Sequence, residues 1–263
     1  MGFIVGIAIS VISGLFTAAW GAYKDAPLEG FHRRSFWRSV LFSLVVFAIA
    51  ATTMTARVEM LFGFQLFFLV MGVERIAIEI YKPCFRREDQ GKYLIPQDGS
   101  FLGYHVDSGW VLRVVGLVAF GAVFALMCIG SDVVSYDEHA IVAVTVGLFI
   151  CCGGAAKDAP FEGFQSEKFL RSAIVLGFAS PFLWLLGPTP LGLEIFIAGG
   201  IERLLVESYK TYFTDKRPGK FRPDLPIVDY RFLRRRPPLK AMAFAIVVAV
   251  AGLYAHALVV RFA

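Results

Sequence analysis

One octapeptide occurs twice in this chain. Lys24-Asp25-Ala26-Pro27-Leu28-Glu29-Gly30-Phe31 returns 133 residues later as Lys157-Asp158-Ala159-Pro160-Phe161-Glu162-Gly163-Phe164. Each copy leads into Phe-x-Arg-Ser, at Phe36–Ser39 and Phe169–Ser172. A second element, Gly72-Val73-Glu74-Arg75 through Glu79, Tyr81 and Lys82, is matched by Gly200-Ile201-Glu202-Arg203 through Glu207, Tyr209 and Lys210. Even Gly91-Lys92-Tyr93 comes back as Gly219-Lys220-Phe221. A duplication this detailed constrains the fold: the plan of one half is the plan of the other, and two units, 1–133 and 134–263, follow.

Hydropathy gives the class. The chain is 57% hydrophobic with a mean hydropathy of +0.65, too apolar for a chain that must present a polar surface to water. Its apolar residues fall in runs of about 20, the length that crosses roughly 30 Å of hydrocarbon as a helix. We expect an all-α integral membrane protein. The first unit has spans at about 2–20, 37–53, 60–81 and 110–129, and the second at about 140–156, 170–186, 191–209 and 241–260. The first run aligns with the fifth, so it is read as a retained span and not as a cleaved leader. Eight helices in two fourfold units give the units the same orientation, a parallel repeat, because four is even.

Charge tests that topology. Of the 26 Lys and Arg residues, 22 lie in or beside the connections after spans one, three, five and seven. Arg75 and Arg203 lie within spans, and only Arg57 and Arg261 fall on the opposite side, with Asp132, Asp137 and Glu138. By the positive-inside rule the octapeptides face the cytoplasm of an inner (cell) membrane and both termini face away from it. The net charge of +5 sits in these connections, so it signals topology and anionic lipid headgroups, not nucleic acid.

Locally, Lys24 and Lys157 mark the water boundary, where an ammonium can snorkel and complement a helix C-terminus. Asp25 and Asp158 are placed to cap a new short helix with its proline in the first turn and Gly30 or Gly163 ending it. Ala18, Ala19, Gly21 and Ala22, with Gly153, Gly154, Ala155 and Ala156, suit close helix packing. A turn at 55–57 joins the second and third spans, and 92–96 with 101–105 reads as a small hairpin.

The residues that carry chemistry are the duplicated charges. Glu74 lies about 10 Å deeper than Tyr81 at 1.5 Å per residue. Arg75 and Glu79 are an i, i+4 pair able to neutralise each other along one helix. Glu74 points elsewhere and needs Lys24, Arg38 or a cation of the other unit. Ionisable groups at membrane depth are costly and mark functional sites by default; the structural alternative is an ion-pair staple near the interface. Lys24, Asp25, Glu29, Arg38, Glu74, Arg75 and Glu79, with Lys157, Asp158, Glu162, Arg171, Glu202, Arg203 and Glu207, form the candidate binding or gating set. Arg and Lys in such a set suit a phosphate or carboxylate.

Three readings stay open. The leading one is a transporter, flippase or channel for an anionic or amphiphilic solute, a lipid included. The second is a scaffold or assembly subunit with structural ion pairs, joined to a protein partner or a second copy. The third is a membrane enzyme acting on a phospholipid headgroup, with Asp25 and Glu29 or Asp158 and Glu162 holding magnesium. No phosphate loop and no catalytic residue emerges. Cys84, Cys128, Cys151 and Cys152, with His32, His105, His139 and His256, are too scattered for a metal or haem site, so no cofactor is expected.

Overall fold

A computed structural model describes residues 2–87, 89–106, 108–128, 133–134, 138–187, 189–214, 220–234 and 236–263. About 81% of the chain is helical. The helices are α1 (Phe3–Glu29), α2 (Arg33–Thr53), α3 (Thr55–Met60), α4 (Gly63–Phe85), α5 (Gly109–Cys128), α6 (His139–Glu162), α7 (Ser166–Leu186), α8 (Leu191–Tyr209), α9 (Tyr230–Arg234) and α10 (Arg236–Phe262). Five of them, α1, α2, α5, α6 and α10, are long and apolar enough to cross a membrane. Asp132 and Asp137, expected opposite the basic end, lie outside the described residues, as do Gly219 and Arg235.

The two charged helices form the centre. α4 is buried without a break from Phe64 to Glu74, and α8 is buried from Ile197 to Glu202. A helix buried all round belongs inside other helices, and α1, α2, α5, α6, α7 and α10 surround this pair. The outer helices turn large apolar side chains outward, among them Trp110, Val118, Phe149 and Phe178. An apolar exterior around a core of two charge-bearing helices is the arrangement a bilayer selects.

Glycine sets how closely the central pair approaches. A Cβ on Gly72 would drive into the Phe196 carbonyl, and one on Gly200 would drive into the Phe68 carbonyl. The α1–α2 contact is built alike, since a Cβ on Gly14 would lie 2.6 Å from the Cα of Val40. At the α6–α7 contact, a Cβ on Gly147 would lie 2.5 Å from the Cα of Ala173. This corrects the expected packing positions. Ala18 and Ala19 are buried, but Gly21, Gly153 and Gly154 face open space, and the tight contacts lie deeper, where the small residue meets a backbone.

The octapeptide does not start a new helix. α1 runs through Lys24–Glu29 and α6 through Lys157–Glu162, with Pro27 and Pro160 inside them. A helix already propagating loses only one backbone bond to a proline near its end, whereas a separate helix would need a fresh nucleus. Asp25 and Asp158 therefore lie inside the helices, just before the last turn, and are not caps. Gly30 and Gly163 do end the helices, at φ of 80° and 81°, a region open to glycine and strained for other residues.

Two other local expectations change. Residues 55–60 form the short helix α3 instead of a bare turn, with Val58 buried. The hairpin is smaller than expected: β1 (Ser100–Phe101) pairs with β2 (Tyr104–His105). Leu102 and Gly103, at φ of 50° and 82°, supply the two positive φ values of a type I′ loop, which closes tighter than the wider pairing can. Residues 92–96 pair elsewhere. Tyr93 bridges Phe221, Leu94 N–H donates to the Lys220 carbonyl at 2.8 Å, and Arg222 N–H donates to that of Lys92 at 3.2 Å. The two recurring tails thus pair with each other.

Candidate functional site: crossed ion pairs beneath a polar cavity

The Gly72–Gly200 contact brings α4 and α8 so close that the next residues reach across. Arg203 donates to Glu74 at 2.5 Å, and Arg75 donates to Glu202. Each helix supplies one cation and one anion, so the two ion pairs cross the same seam in opposite senses. Glu202 also accepts from the Ser172 hydroxyl at 2.6 Å. Glu74 and Glu202 are each 1% exposed; the arginines are less buried, at 29% for Arg75 and 13% for Arg203.

The expected i, i+4 pair of Arg75 and Glu79 does not carry these charges. Glu79 is ion-paired with Lys82 at 2.8 Å and Lys157 at 3.3 Å, and Glu207 with Lys210 at 3.7 Å. A carboxylate buried on the neighbouring helix holds a guanidinium better than a solvated one on its own helix, because the local dielectric is lower. Among the partners expected for Glu74, the one used is a cation of the other half.

A polar cavity of about 400 Å³ opens beyond the ion pairs. All of the candidate set except Glu29, Arg38 and Glu74 line it, from α1, α4, α6, α7 and α8. Glu29, Arg38 and Glu74 line a smaller one of about 160 Å³, to which Asp25 and Arg203 are common. The sequence placed these side chains at one end of the bundle, and the structure gathers them around two adjoining spaces. Most of the cations are committed to carboxylates, as are Lys82, Lys157, Lys210 and Lys220. Two are not. Lys24 lies 4.4 Å from the centre of the Trp20 ring. Neither Lys24 nor Arg171 forms a hydrogen bond or ion pair with a described residue, and the Arg171 Nε is buried without a partner.

The first octapeptide is strapped down. Lys220 pairs with Asp25 at 2.8 Å, and the Val228 and Asp229 N–H groups donate to the Pro27 carbonyl at 2.9 and 3.2 Å. Leu28 packs under the stacked rings of Tyr93 and Phe221. The Tyr93 hydroxyl donates to Glu29 at 2.8 Å, and Lys92 lies 3.6 Å from the same oxygen. Over the second octapeptide lies the 100–105 hairpin, with Gly103 close against Pro160. We expect Tyr93→Phe to cost about 1 kcal/mol, the usual net worth of one hydrogen bond. It should raise proteolytic cleavage between 220 and 230 without unfolding the bundle; unchanged cleavage would mean the hydroxyl holds nothing.

Several contributing residues were not singled out from the sequence. Ser172, Lys82, Lys210 and Lys220 all belong to recurring elements, and that recurrence was the available signal. A further polar centre lies at the opposite end, where His139 Nδ1 and Glu194 are 2.6 Å apart and both fully buried. Nearby on the same stretch, Gln65 donates to Thr189 at 3.0 Å. His139 and Glu194 have no counterpart in the first half, where Gly6 and Leu66 stand in the corresponding positions. Among the described residues no cluster of His, Cys, Asp and Glu is arranged to hold a metal ion. Chemically, the site is a cation-rich pocket in which one ammonium rests on an indole ring and one guanidinium nitrogen has no partner, an arrangement suited to binding an anion. No known protein family, curated protein or solved structure matches this chain.

Proposed function

We propose that the chain is an inner-membrane transporter, flippase or channel that binds an anionic or amphiphilic solute in the larger cavity. In this reading α4, α7 and α8 join the five apolar helices to give eight spans, in two units of the same orientation. The basic end faces the cytoplasm and both termini face away. The observation that carries it is that Lys24 and Arg171, which form no ion pair with a described residue, face a cavity of about 400 Å³. Both are half-buried at the cavity wall, and an anionic group bound there would give each the charge-assisted hydrogen bond that no described residue supplies.

The closed α4–α8 seam fits the same reading. Below the cavity the helices touch backbone to backbone, and the crossed ion pairs hold them there. A solute bound above would pass only when the seam parts. The scaffold reading is favoured by one specific observation: Glu74, Arg75, Glu202 and Arg203 are all engaged with one another. The cavity beside them is what that reading leaves without a purpose.

Two measurements test the proposal. With Cys84, Cys128, Cys151 and Cys152 replaced, Glu138→Cys and Arg231→Cys should react with an impermeant maleimide from opposite faces of the membrane. Labelling from one face removes the eight-span topology. Purified protein should also be stabilised thermally by inorganic pyrophosphate or citrate, with an apparent affinity that falls roughly ten- to a hundredfold in Lys24→Gln and in Arg171→Gln, one charge-assisted hydrogen bond each. Equal stabilisation of wild type and variants would place the anion elsewhere and leave the scaffold as the better account.

A further inference from the structure

The outer face of α2 carries a groove that the cavity reading does not use. It has a volume of about 580 Å³ and is walled by Trp37, Leu41, Phe42 and Val45, with Arg33, Arg34 and Arg38 at its head. Arg34, Arg38, Leu41 and Val45 follow one another at helical spacing, so the groove runs along the helix for about 16 Å at 1.5 Å per residue. Trp37, Leu41 and Val45 are 55%, 61% and 53% exposed. Phe42 is anchored from behind by the Tyr81 ring, 6.4 Å away between centroids. Tyr81 also holds the Arg38 guanidinium, 5.5 Å from its centre.

We infer that this groove binds one bilayer phospholipid with an anionic headgroup, the phosphate under Arg33, Arg34 and Arg38 and an acyl chain along Trp37, Leu41 and Val45. The apolar walls alone would take any lipid chain. Charge complementarity selects the headgroup, since three arginines line the groove where it meets the basic end, and arginine binds phosphate with paired, directed hydrogen bonds. An exposed tryptophan beside them sits where indole rings settle at headgroup depth. Arg38 lines the small inner cavity as well, so the bound phosphate touches a side chain that also faces the polar interior. The inference is independent of whether the larger cavity carries a solute.

The test is native mass spectrometry of the whole chain released from nanodiscs containing equal phosphatidylglycerol and phosphatidylcholine. One phosphatidylglycerol should be retained in preference to phosphatidylcholine. Arg33→Gln with Arg34→Gln should lower that retention roughly ten- to thirtyfold, at about a factor of five per basic residue near an anionic surface. Leu41→Trp with Val45→Trp fills the groove without touching a charge and should lower retention too. Arg231→Gln, which removes an exposed cation of the same end that does not line the groove, should leave it unchanged. These side chains are exposed, and circular dichroism checks that each variant is folded. Equal retention of the two lipids would overturn the inference. So would undiminished retention in the tryptophan variant, or a loss in Arg231→Gln as large as that in the double arginine variant, since either means diffuse attraction to basic loops.

Discussion

Gly72→Ala is expected to lower the melting temperature by about 5–10 °C, on a cost of about 3 kcal/mol. The new methyl group has nowhere to go, because it meets the Phe196 carbonyl oxygen, with the carbonyl carbon 2.9 Å and the Gly200 nitrogen 3.1 Å away. Backbone atoms cannot change rotamer as a side chain would, so relief requires α4 and α8 to move apart. That movement loosens contacts among Phe67, Phe68, Phe196 and Ile197, all within the one large core cluster. Gly200→Ala should behave alike, against the Phe68 carbonyl. The two together should cost less than their sum, since helices already parted by one methyl group accommodate the second. Gly199→Ala is the control: its Cβ would meet nothing within 4 Å, and alanine is favoured over glycine in a helix by about 1 kcal/mol. Thermal unfolding in nanodiscs reads all four. A neutral Gly72→Ala would mean that the seam is not a close backbone contact.

What the sequence made legible, and what it hid, divide along this seam. Helices, their polarity and the gathering of the duplicated charges at one end follow from local hydropathy and from recurrence, both of which lie along the chain. The partners of the charges do not, because they depend on the distance between two helices, and that distance is set by glycines whose lack of a side chain leaves no hydropathy signal. Arg75 and Glu79 look like a pair on one helix. The pair forms between helices instead because Gly72 lets Glu202 approach more closely than solvent lets Glu79 compete. The same logic hid the strap, in which Tyr93 and Phe221 recur as equivalents and yet bridge each other. His139 and Glu194 were hidden more completely. They are 55 residues apart, share no helix and recur nowhere, so nothing short of the folded chain brings them to 2.6 Å.

Removing one carboxylate from the crossed pairs should be the other large effect, and the two copies should differ. Glu74→Gln strands Arg203, which is only 13% exposed, and breaking a buried pair by removing one partner costs about 3–5 kcal/mol. Glu202→Gln strands Arg75, which at 29% exposed is more open to water than Arg203, while the new amide oxygen still accepts from Ser172. Its cost should be about half as large, near 2 kcal/mol. The order of the two, read as unfolding midpoints in mixed detergent, is therefore set by where each arginine can go once released. Replacing a whole pair, as in Glu74→Leu with Arg203→Met, should recover most of the loss, because no buried charge is left alone. That double variant also separates the two roles of the seam. A pair that only staples the bundle leaves pyrophosphate binding unchanged when it is replaced by apolar contact. A pair that gates the cavity alters binding, because the two ion pairs span one contact and α4 cannot leave α8 without breaking both. Apolar replacement would then lower the barrier to parting and shift the population toward the open seam. A stable double variant with wild-type binding would assign the charges to architecture alone.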